Sequence, residues 1–282
     1  MTMIKKRYSR LRGAIFYCGL VLITGILSLP ALVAISTSFK PYSEIFTTNP
    51  TILPQHFTLA SYQKLLAIPE FPVYLLNSLI VAAFSAAIAI AVGVLAAYAL
   101  VFFRFPGRRV IRQALLTTYM FPAITLVFPV FFGASRLNLL DTYTILILTN
   151  LSFALPIAIW LLLGFFEKIP VELERAARVD GCNRLQTVFH VILPVMLPSI
   201  MAIGVFTFIL GWGEYLFALT LTLTDAHRTA SPGMHALMGN YRIDYGLLTA
   251  AGTVIVFPLV LLFALFQKHI VEGMTSASHH RL

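Results

Sequence analysis

The sequence predicts an all-α integral membrane protein with about six transmembrane helices. Hydrophobic residues make up 59% of the 282 residues, charged residues only 11%, and the mean hydropathy is +0.88. A soluble domain carries about 25% charged residues. The charges are also clustered, because six stretches that total 171 residues contain a single charge, that of Glu214. Each stretch is long enough for a helix of about 20 apolar residues to cross the hydrocarbon.

The predicted spans follow these six stretches, with one polar loop between the fourth and the fifth. The spans cover residues 14–38, 73–103, 112–134, 142–166, 193–221 and 246–267, and the loop covers residues 167–192. The first stretch is longer than the 7–15-residue core of a secretory signal, so we expect a retained first helix. Pro122 and Pro129 predict a kink in the third span. We treat residues 1–282 as one transmembrane domain.

The basic residues indicate an orientation. If the two termini share one side of the membrane, fifteen of the twenty Lys and Arg residues fall on that side and five on the other. Cytoplasmic loops carry the excess of Lys and Arg, which predicts that both termini are cytoplasmic. The net charge of +9 then reflects membrane topology, and we expect no nucleic-acid partner.

Signatures of catalysis and cofactor binding are missing from the sequence. Cys18 and Cys182 suit neither a disulfide framework nor a metal site, and the histidines show no metal-ligand spacing. No phosphate-binding loop of the G-x-x-x-x-G-K-[ST] type occurs, since none of the six lysines follows a glycine. A membrane-embedded enzyme would need clustered His, Asp or Glu residues. We therefore expect a protein without enzymatic activity, cofactor or metal.

The polar loop, residues 167–192, predicts a helix–turn–helix. Pro170 can open the first helix, and acidic side chains in its first turn suit the helix dipole. The second piece is expected to place Leu185, Val188 and Phe189 on one face. Spacing alone leaves two interpretations open, insertion into a groove of another protein and an ordinary solvated connector. The first helix and its turn contain the acidic residues Glu172 and Glu174, the apolar stripe Leu173, Ala176 and Ala177, and the turn pair Asp180–Gly181.

This loop resembles the cytoplasmic EAA loop of permease subunits of binding-protein-dependent ABC importers. The residues that match in order and spacing are Glu172–Leu173, Ala176–Ala177, Asp180–Gly181, Leu193–Pro194 and Pro198. One position departs from the pattern, because Arg175 stands where the family has glutamate, and Glu174 precedes it.

Further segments resemble the carbohydrate-type permeases that are related to the second maltose permease subunit. They are Asn77–Ser78, the turn at 103–107, Leu140–Asp141–Thr142, the element Trp212–Glu214 and the tail Val271–Ser276.

The resemblance implies a type I ABC-importer permease fold, with transport and ATP binding assigned to different subunits. The chain would carry a sugar or related polyol across a bacterial or archaeal cell membrane. Its partners would be a second permease subunit, two ATPase subunits that bind ATP and magnesium, and an extracytoplasmic substrate-binding protein. The loop would dock in a cleft of an ATPase. Because Arg175 reverses the charge of the family motif, we hypothesise that Glu174 or Glu172 replaces it, or that the ATPase carries a compensating acidic residue.

Glu214 is the one carboxylate inside a predicted span, and it leaves two interpretations open. A charged residue at such a depth usually faces the bundle interior, where it would line a substrate path, but Glu214 also suits the outer interface. The neighbouring Trp212 and Tyr215 would stack on sugar rings or belong to the interfacial aromatic belt. The alternative function is an ion-coupled secondary transporter, which would need a coupling site near the midplane, and only Glu214 is available for one.

Overall fold

The structure, a computed structural model, describes residues 2–47, 49, 51–238 and 243–275, and these residues form helices and irregular connections. Ser276, the last residue of the tail that resembles the family, lies outside them, as do Arg242 and Arg281, two of the twenty basic residues counted for the orientation. The longer helices are α1 (Thr2–Ser38), α4 (Glu70–Phe102), α5 (Arg108–Thr117), α6 (Ala123–Arg136), α7 (Tyr143–Phe166), α10 (Leu193–Trp212) and α13 (Tyr245–Thr275). The shorter helices are α2 (Tyr42–Ile45), α3 (Ala60–Leu66), α8 (Val171–Val179), α9 (Arg184–Gln186), α11 (Leu216–Leu221) and α12 (Ala230–Ala236).

Among the described residues, five helical segments are long and apolar enough to cross a membrane. They are Phe16–Ser38, Glu70–Phe102, Tyr143–Phe166, Arg184–Trp212 and Tyr245–Lys268. A sixth candidate is a bent pair, Arg108–Met120 and Ala123–Arg136, whose two parts meet at 95°. This composition of five or six candidate spans confirms the predicted all-α membrane class.

The predicted third span is broken rather than continuous. A 3₁₀ turn, Thr118–Met120, follows α5, and Phe121 then has an extended backbone. Proline disfavours helical geometry in the residue before it, so Pro122 explains why the helix ends here. Pro129 lies inside α6 without ending it.

The fifth span also differs from the predicted range of 193–221. A continuous helical segment runs from Arg184 to Trp212, and a short break precedes α11. Asn183 and Gln186 form a capping box that sets the early start. A π-helical turn, Thr187–Ile192, lies directly before Leu193–Pro194. Pro194 crowds the carbonyl four residues earlier, and the wider turn accommodates that crowding.

Two compact units divide the chain. The first contains Met1–Ile68 and Leu237–Val254. In it, the Glu44 carboxylate accepts hydrogen bonds from the backbone N–H groups of Gln55 at 2.7 Å and His56 at 3.1 Å. The Gln55 bond is the main reason that the pKa of Glu44 is lowered, and burial opposes it. Lys64 and Asp244 form an ion pair at 2.9 Å in the same unit.

The second unit contains Pro69–Ala236 and Ile255–Leu282, and its core lies between α4, α7 and α10. Small residues line α4 where the helices meet, and a Cβ at Gly93 would lie 3.0 Å from Leu162. Small side chains let helices approach closely in lipid. The fully buried side chains of this core include Ala89, Ala97, Ala158, Leu162, Val188 and Ile192.

Candidate functional site

Helix α8 and its C-terminal turn have the form that the sequence predicts. Pro170 has an extended backbone and precedes the helix. At the other end, Gly181 donates to the Arg178 carbonyl at 3.2 Å and Cys182 donates to the Ala177 carbonyl at 3.0 Å. These two bonds form a Schellman motif, which needs a residue with positive φ. Gly181 has φ +88°, so glycine at this position closes the helix without strain.

One face of α8 is attached to the core. Ala177 is buried and Leu173 packs at the edge of the apolar cluster between α4, α7 and α10. Glu174 is also turned inward, where its carboxylate accepts a hydrogen bond from the Tyr98 hydroxyl at 3.2 Å. A buried carboxylate is costly unless it is hydrogen-bonded, so Tyr98 stabilises this orientation.

A second contact attaches the start of α9 to the same end of α4. The Arg184 guanidinium lies over the Phe103 ring, with 4.0 Å between its Cζ and the ring centroid. This is a cation–π geometry. Tyr98 packs against Phe103 with their centroids 5.5 Å apart. Tyr98 and Phe103 thus connect α8 and the start of α9 to the C-terminal end of α4. No local sequence pattern identifies Tyr98, because its partner is 76 residues away.

The opposite face of α8 is open to solvent. Val179 is 86% exposed. Glu172, Arg175 and Ala176 are exposed beside it. The two glutamates differ in exposure, because Glu174 faces the core and Glu172 is open to solvent. Of the two residues that the sequence offered as substitutes for the family glutamate, only Glu172 can reach a partner without rearrangement.

The second piece of the loop differs from its prediction. It is not a separate short helix but the start of the segment that continues into α10. Val188 is fully buried, whereas Leu185 and Phe189 are more than half exposed, so the three do not share a face. The predicted single apolar stripe assumed a regular helical period, and the π-helical turn changes that period. Leu193 is half-buried and Pro194 exposed in the first turn of α10.

We expect Tyr98→Phe to destabilise the attachment of α8. The substitution leaves the Glu174 carboxylate buried without its hydroxyl donor, which costs about 1–3 kcal/mol. The loss should be measured as a lower midpoint of thermal unfolding of the purified protein. Glu174→Gln is the matched control, because its amide oxygen can still accept from Tyr98 and should lower the midpoint less. Equal midpoints for Tyr98→Phe and the unaltered chain would contradict this role.

The three residues proposed for a substrate path have different environments. Trp212 is 3% exposed, and its indole N–H donates to the Ile255 carbonyl at 3.2 Å. The Glu214 carboxylate accepts from the N–H groups of Phe217 at 2.7 Å and Ala218 at 2.9 Å. Glu214 therefore caps the start of α11, a role that neither interpretation of the sequence included. Tyr215 is 40% exposed at the same break.

A hydrogen-bonded cluster holds the segment between α11 and α12. Asn77 is fully buried, and its amide donates to the carbonyls of Ala226 and Arg228, each at 2.9 Å. The Tyr143 hydroxyl donates to the Asn77 Oδ1 at 2.7 Å. Ser78 accepts from the Ala230 N–H at 2.8 Å. The pair Asn77–Ser78, noted in the sequence only as a resemblance, thus has a clear structural role.

Asp141 fixes the same segment from the start of α7. Its backbone N–H donates to the Leu221 carbonyl at 2.8 Å, and its Oδ2 accepts from the Thr224 hydroxyl at 2.6 Å. Burial raises the pKa of Asp141, but the hydrogen bonds from Thr224 and Leu223 outweigh burial and lower the pKa overall. The carboxylate therefore stays ionised at neutral pH. It joins the connection before α7 to the segment that follows α11.

Comparisons with known proteins agree with this architecture. Residues 89–276 match the family described as "Binding-protein-dependent transport system inner membrane component". The inner membrane ABC transporter permease protein YcjP of Escherichia coli is 37% identical, over 93% of this chain and 94% of the relative. The trehalose transport system permease protein SugB of Mycobacterium tuberculosis is 35% identical, over 91% and 94%. The sulfoquinovosyl glycerol transport system permease protein SmoH of Agrobacterium fabrum is 34% identical, over 91% and 90%.

Solved structures show the same fold. A chain of a bacterial ABC transporter involved in the import of alginate has a TM-score of 0.78 at 22% identity, covering 93% of this chain and 97% of that chain. The bacterial alginate ABC transporter in complex with a periplasmic protein gives a TM-score of 0.62 at 17% identity, over 92% and 91%. The family match decides against an ion-coupled secondary transporter and against an enzyme. The chain belongs to the inner-membrane permeases of binding-protein-dependent ABC transporters.

Proposed function

We propose that this chain is the subunit of an ABC importer that carries a sugar or related polyol, and that α8 docks into a cleft of a cytoplasmic ATPase subunit. The single observation that carries the docking proposal is the two-sided character of α8. Glu174 and Ala177 fix one face to the core, while Val179 leaves an apolar side chain exposed in the last turn, on the same open face as Glu172 and Arg175. A short helix with a fixed orientation and an exposed apolar side chain suits insertion into a groove.

The attachment of α8 gives a route for movement into the membrane. The Tyr98–Glu174 hydrogen bond and the Arg184–Phe103 contact join the loop to α4. The Schellman turn joins α8 directly to the segment that becomes α10. When the ATPase subunits close on ATP, a displacement of α8 would reach both helices through these contacts, without crossing a flexible connection.

Substrate class and partners follow from the relatives rather than from a bound ligand. SugB and SmoH carry names that refer to trehalose and to a sulfoquinovosyl glycerol, which supports a sugar substrate here. A second permease subunit, two ATPases and an external binding protein complete the proposed assembly. Apolar side chains of α1 such as Leu27, 75% exposed, would contact lipid or the second permease. The break at 213–215 would line the path, with Tyr215 exposed and Trp212 and Glu214 supporting its geometry.

The proposed orientation predicts that Cys182 is accessible only from the cytoplasm. Cys182 is partly exposed in the loop, and Cys18 is the one other cysteine of the chain. In a Cys18→Ser background, a membrane-impermeant maleimide should label Cys182 in inverted vesicles and leave intact cells unlabelled. Labelling from the outside of intact cells would contradict the cytoplasmic assignment of the loop.

Substitution of Arg175 tests whether α8 and the ATPase subunit have complementary charges. If the ATPase carries a compensating acidic residue, Arg175→Glu places two like charges together and should lower transport by about tenfold, since 1.4 kcal/mol corresponds to tenfold. Transport should be measured with the native ATPase in proteoliposomes. Arg178→Glu, which alters an equal charge one turn from Glu174, is the matched control. A gain in coupling from Arg175→Glu would contradict compensation and favour a partner built for glutamate.

A further inference from the structure

A groove with a charged end and an apolar end lies between the start of α5 and the end of α7. Its volume is about 450 Å³. It belongs to the second compact unit and does not include any residue of the docking face of α8. The groove is lined by Arg112, Trp160, Gly164, Phe165, Glu167 and Lys168.

The charged end of this groove carries an excess of positive charge. Arg112 donates from Nη1 to Glu167 at 2.5 Å and from Nη2 to the Leu100 carbonyl at 2.6 Å. Its Nε is buried and meets no acceptor among the described residues, so the pair with Glu167 leaves the guanidinium incompletely satisfied. The Lys168 ammonium lies 5.1 Å from the centroid of the Phe165 ring. Arg109, exposed in the first turn of α5, adds a further positive charge nearby.

The proposed orientation places the apolar end near the membrane interface. Trp160 is 45% exposed and precedes Glu167 by seven residues, which is about 10 Å along a helix. Tryptophan is enriched where headgroups meet the hydrocarbon. Two hydrogen bonds fix the direction of α5 along α7, since Arg112 contacts Glu167 and Tyr119 donates to the Phe153 carbonyl at 2.7 Å. In the proposed orientation, the groove therefore runs from the headgroup level towards the hydrocarbon.

We propose that this groove binds the phosphate of an anionic phospholipid in the cytoplasmic leaflet. Basic pockets between transmembrane helices on the cytoplasmic side recognise lipid headgroups of this charge. The phosphate would lie against Lys168 and the outer edge of Arg112, and an acyl chain would follow Trp160 and Phe165. The inference rests on the membrane location of α7 and on the proposed orientation, and it does not depend on docking of an ATPase.

Trp160 supplies a direct probe of this site. The chain has two tryptophans, and Trp212 is buried, so lipid-dependent quenching reports mainly on Trp160. The full chain is reconstituted in phosphatidylcholine vesicles to which one lipid with brominated acyl chains is added. The brominated lipid is phosphatidylglycerol in one sample and phosphatidylcholine in the other. We expect stronger quenching by the brominated phosphatidylglycerol, and Lys168→Gln should weaken that preference about fivefold, since one basic residue contributes about 1 kcal/mol near an anionic surface.

Arg136→Gln is the matched control, because it removes an exposed charge at the far end of α6. It should leave the preference unchanged. Arg112→Gln is the second variant, although it also removes contacts that hold Glu167 and Leu100. Equal quenching by the two lipids, or an unchanged preference in Lys168→Gln, would overturn the proposal. Displacement of the brominated phosphatidylglycerol by dilute inorganic phosphate would assign the site to a soluble anion and would also overturn it.

Discussion

Val179→Asp is expected to abolish productive contact with the ATPase while leaving the permease folded. Val179 is 86% exposed in the last turn of α8, so a charged side chain there meets water in the free chain. In a docked complex the same carboxylate would be forced into an apolar groove without a partner, which costs several kcal/mol. We expect at least about a tenfold loss of co-purified ATPase and of ATP hydrolysis stimulated by the binding protein.

Leu137→Asp is the matched control for this substitution. Leu137 is 70% exposed directly after α6, in a connection that the proposed topology places on the outer side. The same change in charge at this position should leave recovery of the ATPase unaltered. Equal loss in both variants would show a general effect of charge on expression or assembly. Full recovery of ATPase with Val179→Asp would contradict docking through this face.

The second large effect is expected at Asn77. Asn77→Ala removes two donated hydrogen bonds and one accepted bond in a fully buried position, and it leaves two carbonyls and the Tyr143 hydroxyl unpaired. At about 1 kcal/mol for each net hydrogen bond, we expect about 3 kcal/mol of destabilisation. The thermal midpoint of the purified protein should fall by roughly 6–12 °C.

Ser85→Ala provides a control on the same helix. Ser85 is also fully buried in α4, but its hydroxyl has no hydrogen-bond partner among the described residues. Replacing an unsatisfied hydroxyl with a methyl group should be neutral or slightly stabilising. A comparable loss from both variants would show that α4 responds to any buried substitution and that Asn77 has no special role.

The parts of the structure that the sequence predicts well depend on local patterns. Uncharged length predicts the spans, since a helix that crosses lipid must be apolar throughout. The turn at Asp180–Gly181 is predicted because a helix that ends in a Schellman motif needs a residue of positive φ.

The parts that the sequence does not predict depend on contacts between distant residues. Glu174 and Glu172 look alike in the motif, and only the position of Tyr98 on another helix separates their roles. In the sequence, Glu214 looks like a carboxylate of the substrate path. Its capping role depends on a helix break at Gly213, which the sequence does not reveal. Trp212 likewise has aromatic character that suits a sugar, yet it is buried in packing against α13.

A photo-crosslink from position 179 tests the docking of α8 on an ATPase subunit most directly. A photoreactive phenylalanine analogue replaces Val179 in the assembled complex, and an identical residue replaces Leu137 as the reference. We expect the residue at 179 to crosslink to an ATPase subunit and the residue at 137 to form no such crosslink. Crosslinks from 179 to lipid or to the external binding protein, with none to the ATPase, would contradict the assignment of α8 as the coupling helix.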